Sequence, residues 1–277
     1  MNKNFNILVI ASLLLVSCSL KSNKNDMDTQ QKVKVETTLG DVVIKLYNET
    51  PNHRDNFLKL VKDGTYEGTL FHRVIKDFMI QAGDPDSKGA PAGKSLGSGD
   101  LGYTIPAEIV YPELFHKKGA LSAARQGDQV NPEKASSGCQ FYIVTGNVYT
   151  EESIIGLENQ MNESKVHEIF EELARKHMKD IYKLRKEQNE EALLNLQEEL
   201  IEKAEAEAAL QPQFTFTPEQ IQAYTTVGGT PHLDQEYTVF GEVVEGLEIV
   251  DLIQEVETDR NDRPCADVKI IKMSIID

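Results

Sequence analysis

The sequence is poor in basic residues. It contains 29 lysines and arginines against 45 aspartates and glutamates, a formal net charge of -16 over 277 residues. Nucleic-acid binding requires lysines and arginines clustered against the phosphates, so this balance argues against a nucleic-acid partner. The length allows one large or two ordinary domains, and a hydrophobic share of 40% is typical of a soluble globular protein.

Cysteine is also scarce. The three cysteines are Cys18, Cys139 and Cys265, and their spacing matches no metal-binding pattern. Cys139 adjoins an apolar strand-like run, where a buried thiol is common, although an oxidising compartment would also permit a bond to Cys265. Residues 97–99 (Gly-Ser-Gly) lack the Gly-Lys-Ser/Thr ending of a phosphate-binding loop. We therefore expect no metal and no cofactor.

The N-terminal apolar run, residues 7–16, is too short to span a bilayer. With Lys3 before it, this run is typical of a signal-peptide core. Residues 15–18 (Leu-Val-Ser-Cys) resemble the lipobox of bacterial lipoproteins, which implies a signal peptide of residues 1–17, lipidation of Cys18 and a polar tether over residues 18–31. An ordinary secretory signal is the alternative.

Lipoprotein sorting depends on the residue after the lipidated cysteine, which here is Ser19 rather than aspartate. By this resemblance the protein is expected in the bacterial cell envelope. It would be held to the membrane by its lipid and would face the periplasm, with the outer membrane favoured over the inner.

Local patterns predict a mainly β domain. Alternating polar and apolar side chains over residues 32–37 and 41–47 predict a β-hairpin, and Thr50-Pro51 suit the N-cap and first position of a helix. Residues 74–75 and 78–80 predict two short strands with a turn at Lys76-Asp77. Further strands are predicted at residues 119–125, 140–144 and 268–276, and short helices at residues 217–224 and 245–255.

Between these patterns lies a long helical segment. Apolar residues recur at helical spacing over residues 151–211, which carry 16 acidic and 8 basic residues. One long helix or a helical hairpin is expected, with Gln188-Asn189 the weakest point. The apolar stripe could pack on the rest of the domain or on itself, or it could bind a protein partner.

Residues 71–84 closely resemble the signature of cyclophilin-type peptidyl-prolyl isomerases. The resemblance continues at residues 103–108, 119–125, 136–142 and 227–243. It implies a closed eight-stranded antiparallel β-barrel capped by two helices. The domain would cover residues 32–277, interrupted by the helical insertion at residues 147–226, because members of the family usually have only a short connection there.

The same resemblance assigns roles to individual residues. Arg73 would be the catalytic donor, oriented by Gln81 with help from Gln140. Ala124 and Arg125 would offer main-chain groups to the substrate, although Arg125 stands where many relatives carry asparagine. The expected substrate-binding residues are Phe78, Met79, Ala124, Arg125, Gln140, Tyr142, Leu233 and Tyr237. His232 stands where animal relatives often have tryptophan, and we expect it at the solvent-facing rim.

These assignments predict a prolyl isomerase that acts on proline-containing polypeptides during the folding of exported proteins. A hydrolase is excluded because no nucleophile with an attendant base is recognisable. The alternative is a non-catalytic chaperone or scaffold that holds proline segments while its acidic helical insertion engages a partner.

Overall fold

The computed structural model describes residues 30–277. The predicted signal peptide, the lipidation at Cys18 and nearly all of the predicted tether lie outside the described residues. Within residues 30–277 the strands are β1 (Lys32–Thr37), β2 (Gly40–Leu46), β3 (Arg73–Ile75), β4 (Met79–Ala82), β5 (Thr104–Ile105), β6 (Ala120–Arg125), β7 (Ser136–Val144), β8 (Val239–Glu245) and β9 (Ile270–Ile276). The α-helices of the same residues are α1 (Pro51–Lys62), α2 (Glu151–Lys176), α3 (Met178–Lys186), α4 (Glu190–Ala209), α5 (Pro218–Thr226) and α6 (Leu247–Gln254).

The strands form one curled antiparallel sheet in the order β3-β4-β7-β6-β8-β2-β1-β9, with the short β5 paired to β7. The predicted hairpin is present, with β1 and β2 in register from Lys32↔Lys45 to Thr37↔Gly40. The predicted turn at Lys76-Asp77 joins β3 to β4, and Asp77 adopts a left-handed φ of 58° there. Hydrophobic periodicity therefore located these strands correctly.

The prediction of a closed barrel is wrong, because the sheet is open between its edge strands β3 and β9. β3 is only three residues long, and β9 pairs with β1 along its other side. The gap is bridged by the loop before β3, through an isolated bridge between Leu70 and Lys269 and a hydrogen bond from Phe71 N to Val268 O of 2.9 Å. The chain is in turns over residues 63–68 and the strand begins only at Arg73, so no continuous ladder joins the two edges.

Helices α1 and α6 cover the inner side of the curled sheet. Phe57, Leu60 and Val61 of α1 and Val250 and Ile253 of α6 are buried in the same core cluster. Each buried aliphatic or aromatic side chain of this kind contributes about 1.5–3 kcal/mol of transfer free energy. The two helices thus supply the apolar face that the sheet needs to remain folded.

The start of α1 is capped by a distant carboxylate. Thr50 occupies the N-cap position as predicted, but its side chain makes no capping hydrogen bond. Instead the backbone N–H groups of Asn52 and His53 donate to Glu108, at 3.1 and 3.0 Å. A negative charge at this end is favourable because free N–H groups and the helix dipole are both positive there. Glu108 thereby ties the 103–108 loop to α1.

The predicted helical segment forms an arm, defined here as residues 147–226. α2 packs along α4, and Ile169, Leu200 and Ala204 are buried between them. The chain leaves the helix at His177 and again at Gln188-Asn189, where Gln188 has a φ of 53° and Asn189 caps α4. The second break is the one that the sequence favoured, and the apolar stripe packs largely on the arm itself.

The two ends of the arm meet at one point on the sheet domain. Asn147 and Gly229 exchange backbone hydrogen bonds of 3.1 and 2.9 Å, and Gly229 also forms a bridge with Lys117. A Cβ at Gly229 would collide with the carbonyl oxygen of His116, so only glycine permits this approach. The arm consequently leaves and re-enters the domain through a single fixed base.

Both described cysteines are free thiols, Cys139 buried and Cys265 exposed. No helix among residues 30–277 has the length and apolar character needed to cross a membrane.

Stability should fall below neutral pH because of His72. This side chain is 3% exposed, and burial lowers the pKa of its imidazole to about 4. The unfolded chain has the ordinary pKa of about 6.5, so between pH 6.5 and 4 it binds a proton that the native state does not. We expect the free energy of unfolding to drop on the order of 3 kcal/mol from this group across that window.

Urea unfolding at several pH values between 7 and 4.5 measures this effect. The His72→Gln variant should show a shallower pH dependence than the wild type, whereas His167→Gln, which changes an exposed histidine of the arm, should not. Parallel curves for wild type and His72→Gln would contradict the prediction.

Candidate active site

One row of residues crosses four neighbouring strands on the outer face of the sheet. Arg73 lies opposite Gln81, Gln81 opposite Tyr142, and Tyr142 opposite Ser122. Directly opposed residues of antiparallel strands point to the same face, so these side chains stand side by side. The alternate residues of the same strands, among them Ile80, face the core on the other side of the sheet.

An apolar cluster, called the pocket from here on, adjoins this row. Its buried members are Tyr47, Met79, Ala120, Tyr142, Val144 and Val239, and the partly buried side chains packed against them include Phe78, Ala124, Leu233 and Tyr237. The rings of Tyr142 and Tyr237 meet edge to face with centroids 5.8 Å apart. Six of the predicted substrate-binding residues are thus brought together, although they come from four separate stretches of sequence.

His232 lies at the edge of this pocket. Its side chain is exposed and its ring stacks on Phe78, with centroids 5.7 Å apart and planes 20° from parallel. The predicted rim position is therefore correct. The imidazole extends the apolar surface of Phe78 toward solvent.

Arg73 is available to a ligand at the border between the pocket and solvent. Its side chain is 42% exposed, and its ion-pair partner is Asp262, with Nε and Oδ2 3.5 Å apart. Asp262 is itself 44% exposed, so water screens the pair and little energy holds the guanidinium in place. Asp262 was missed from the sequence, because it lies far along the chain in a loop with no apolar pattern.

Gln81 and Gln140 form a fixed pair of amides beside Arg73. Gln81 Nε2 donates to Gln140 Oε1 at 2.9 Å, and Gln140 Nε2 donates to the carbonyl oxygens of Gly97 and Gly99 at 3.0 and 2.7 Å. These bonds fix the orientation of both amides. The loop of residues 97–99, for which no role was predicted from the sequence, therefore supports Gln140 through its backbone carbonyl groups.

Arg125 contributes its side chain as well as its backbone. The guanidinium lies over the ring of Tyr237, 4.5 Å from the centroid, and donates to the carbonyl oxygen and the carboxylate of Glu236 at 2.8 and 3.0 Å. A cation over an aromatic face is attracted by the ring quadrupole. Only a main-chain role was predicted for Arg125, whereas its side chain also packs against the ring of Tyr237.

A buried histidine, His116, hydrogen-bonds the hydroxyl of Tyr142. His116 is 1% exposed, and its Nε2 lies 3.0 Å from the Tyr142 hydroxyl. Burial raises the pKa of Tyr142 well above its ordinary value, so the phenol stays neutral. His116 was not singled out from the sequence, since one histidine between Phe115 and Lys117 carries no motif of its own.

A second cavity, of about 390 Å³, opens on the other side of Arg73. Arg73 and Gln81 form one side of it, and the 94–98 and 259–263 loops form the other. These loops are joined by Arg263, 5% exposed, which donates to the carbonyl oxygens of Pro91 and Lys94 at 2.9 Å each and to Asp267 at 3.0 Å. Among the described residues no cluster of three or more His, Cys, Asp or Glu side chains could hold a metal ion.

The family model for "Cyclophilin type peptidyl-prolyl cis-trans isomerase/CLD" matches residues 32–206 and 174–275. A Staphylococcus haemolyticus relative named "Putative peptidyl-prolyl cis-trans isomerase" is 30% identical over 92% of this chain and 96% of its own length. A Streptococcus pyogenes relative named as a bifunctional phosphatase and isomerase is also 30% identical, but the chain spans only 44% of it.

Solved structures agree on the fold. A crystal structure of a Cryptosporidium parvum cyclophilin type peptidyl-prolyl cis-trans isomerase aligns with a TM-score of 0.51 at 21% identity, covering 90% of this chain and 99% of its own. A second structure of that protein, obtained in the presence of the dipeptide Ala-Pro, aligns with a TM-score of 0.50 over 89% of this chain.

Removal of the Arg263 side chain should loosen the cavity beside Arg73. In Arg263→Met the carbonyl groups of Pro91 and Lys94 lose a buried charged donor, and we expect about 3 kcal/mol less stability in urea unfolding. Amide hydrogen exchange across residues 90–98 should also accelerate. Arg260→Met is the matched control, because Arg260 is exposed in the same loop; equal effects of the two variants would contradict the assignment.

Proposed function

Since the chain belongs to the cyclophilin-type peptidyl-prolyl cis-trans isomerase family and is a peptidyl-prolyl isomerase, we propose that the outer-face row and its apolar pocket are the active site. The observation that carries this proposal is the placement of Arg73 in line with Gln81 and Tyr142, at the edge of the Met79 pocket. The guanidinium of Arg73, a charged hydrogen-bond donor, thus lies next to an apolar surface suited to a proline ring. The alternative of a non-catalytic proline-binding module has no observation in its favour.

The chemistry requires no bond to be broken. A peptide bond resists rotation by about 18–20 kcal/mol because of its partial double-bond character, and X-Pro bonds interconvert without a catalyst in tens to hundreds of seconds. In the twisted amide resonance is lost, and the prolyl nitrogen becomes pyramidal with a lone pair that can accept a hydrogen bond. A rigid donor that is always charged, such as the Arg73 guanidinium, stabilises that state more than the planar one.

The pocket must hold the proline ring while the acyl group turns. Its walls are suited to this task because Met79 and Tyr142 are buried in the sheet domain and Tyr237 is held between Tyr142 and Arg125. Concave apolar sites with a few fixed polar groups are the usual form of ligand pockets. Once the ring is bound, water is excluded from one side of Arg73, which strengthens the hydrogen bond it donates.

The cavity of about 390 Å³ gives the rest of the substrate chain a place beside Arg73. Gln81 lines this cavity with Arg73, and its amide, held in orientation by Gln140, can hydrogen-bond a peptide backbone. The substrate class is therefore an extended polypeptide with a proline, and the protein's contribution is to hold both sides of the X-Pro bond.

Replacing Arg73 should remove most of the catalysis. A preorganised donor to a transition state is typically worth about 3–4 kcal/mol, so Arg73→Ala should lose roughly two to three decades of kcat/KM on a proline tetrapeptide. Arg73→Lys should be intermediate, because lysine keeps the charge but not the planar donor geometry.

The assay is the rate of cis to trans conversion of the tetrapeptide, with Arg185→Ala as a control that removes an exposed arginine of the arm. Unchanged turnover by Arg73→Ala would refute the role of Arg73.

We further propose that the enzyme is a lipid-anchored protein of the bacterial cell envelope that acts on exported proteins as they fold. The support is the apolar run of residues 7–16 followed by the Leu-Val-Ser-Cys stretch that ends at Cys18. The outer membrane and a periplasm-facing domain are part of this proposal, on the basis of Ser19. A protein partner for the arm also remains a proposal, for which the exposed Tyr182 and Leu194 side chains are the support.

Lipid anchoring is tested with the full chain expressed in a bacterium that processes lipoproteins. We expect the wild type in the membrane fraction, with a mature mass that fits lipidated Cys18, and Cys18→Ser outside that fraction because a single thiol carries the linkage. Identical fractionation of the two proteins would contradict the proposal.

A further inference from the structure

A buried hydrogen-bond network leads from Tyr142 of the proline pocket into the protein. Its other members, His116 and Asp234, have no part in the reaction described above. His116 Nε2 meets the Tyr142 hydroxyl at 3.0 Å, and His116 Nδ1 meets Asp234 Oδ1 at 3.0 Å. The backbone N–H of His116 donates to the same carboxylate oxygen at 2.9 Å. All three side chains are nearly inaccessible to water, with Tyr142 the most exposed at 5%.

The far end of this hydrogen-bond network belongs to the arm. Tyr224, in α5, is 0% exposed and its hydroxyl donates to Asp234 Oδ2 at 2.6 Å. Asp234 therefore has one carboxylate oxygen held by His116 and the other held by Tyr224. Since a buried carboxyl group is stable only when its oxygens are hydrogen-bonded, each partner helps to keep Asp234 in place.

α5 is itself fixed firmly in position. Thr217 and Gln220 form a reciprocal capping box at its start. Tyr224 packs in an apolar cluster with Phe115, Ile154 and Phe216, so it contacts both the base of α2 and the residue next to His116. The Tyr224 hydroxyl is thus held at Asp234 by the packing of the arm.

Asp234 is also joined through the backbone to the part of the pocket that adjoins Tyr142. It lies directly after Leu233, a pocket residue, and three positions before Tyr237. The ring of His116 stacks against Tyr142, with planes 13° from parallel, and meets Tyr237 edge to face at 6.4 Å. Displacement of Asp234 or His116 would therefore move both tyrosines that grip the proline ring.

We infer that Tyr224 is a positioning residue for the isomerase: from the arm, through Asp234 and His116, it holds the adjoining Tyr142 and Tyr237 rings of the proline pocket in place. This inference rests on the proposed active site. It gives the arm a part in substrate binding that involves no contact with the substrate. The residue acts on the pocket rather than on Arg73, so its effect is expected on binding more than on the chemical step.

The test compares two variants that each remove one hydroxyl from the same region. Tyr224→Phe loses the bond to Asp234 and keeps the buried ring, whereas Tyr111→Phe loses a 3.2 Å bond to Gln220 of α5 and keeps the bond from Tyr224 to Asp234. We expect Tyr224→Phe to raise KM for a proline tetrapeptide about tenfold with kcat nearly unchanged, because the pocket holds the ring in the ground state and the transition state alike. Tyr111→Phe should match the wild type.

A second measurement does not depend on turnover. The NMR signals of the His116 ring protons should shift in Tyr224→Phe and stay in place in Tyr111→Phe, since only the first variant changes the partner of His116. Thermal unfolding of each variant establishes that both are native at the assay temperature.

The possible outcomes separate this inference from the proposal on which it rests. Wild-type turnover with unchanged KM and unchanged His116 signals in Tyr224→Phe would overturn the inference alone. Loss of kcat without a rise in KM would also overturn it, since the pocket would then not be what Tyr224 controls. An Arg73→Ala protein as active as the wild type would instead refute the proposed active site.

Discussion

The alternation of side chains along β4 and β7 is the constraint on which the rest of the structure depends. Residues one position apart face opposite sides, so Ile80 and Phe141 enter the core while Gln81 and Tyr142 lie on the outer face, in the proposed active site. A register slip of one residue would exchange the two sets. The same pairing that buries the core therefore aligns the residues of the proposed site, and the helices α1 and α6 support them by covering the opposite side of the sheet.

The neighbouring arginines Arg73 and Arg263 show how the same side chain serves two purposes. Arg263 is buried and its guanidinium donates to three carbonyl oxygens and a carboxylate, so it fixes two loops and is not free to bind a ligand. Arg73 is 42% exposed with one screened partner, and the cost of giving up that partner is small. A guanidinium with one weak partner adds little to the stability of the fold. The same guanidinium is free to donate a hydrogen bond to a substrate, as the proposed role of Arg73 requires.

Local sequence patterns predicted most strands, because period-two alternation is a short-range signal, and the family resemblance named the residues that the sheet brings together on its outer face. The partners that fix those residues were not predictable in the same way. Asp262 reaches Arg73, Glu108 caps α1 and His116 reaches Tyr142 across 189, 56 and 26 positions respectively, counted from their numbers in the chain. The prediction of a closed barrel was wrong for a related reason. Whether the edges β3 and β9 pair depends on the path of the loop before β3, which strand propensity does not reveal.

The position of the arm follows from the geometry of its base. Asn147 and Gly229 are hydrogen-bonded neighbours, so the segment between them closes a loop whose ends the sheet domain already holds together, and the entropy cost of added length grows only slowly. A long insertion is therefore tolerated at this point. Its last helix returns to the base with Tyr224 packed against Phe115 and hydrogen-bonded to Asp234. By the inference drawn above, insertion at this site couples the arm to the wall of the proposed proline pocket, whatever the outer part of the arm contacts.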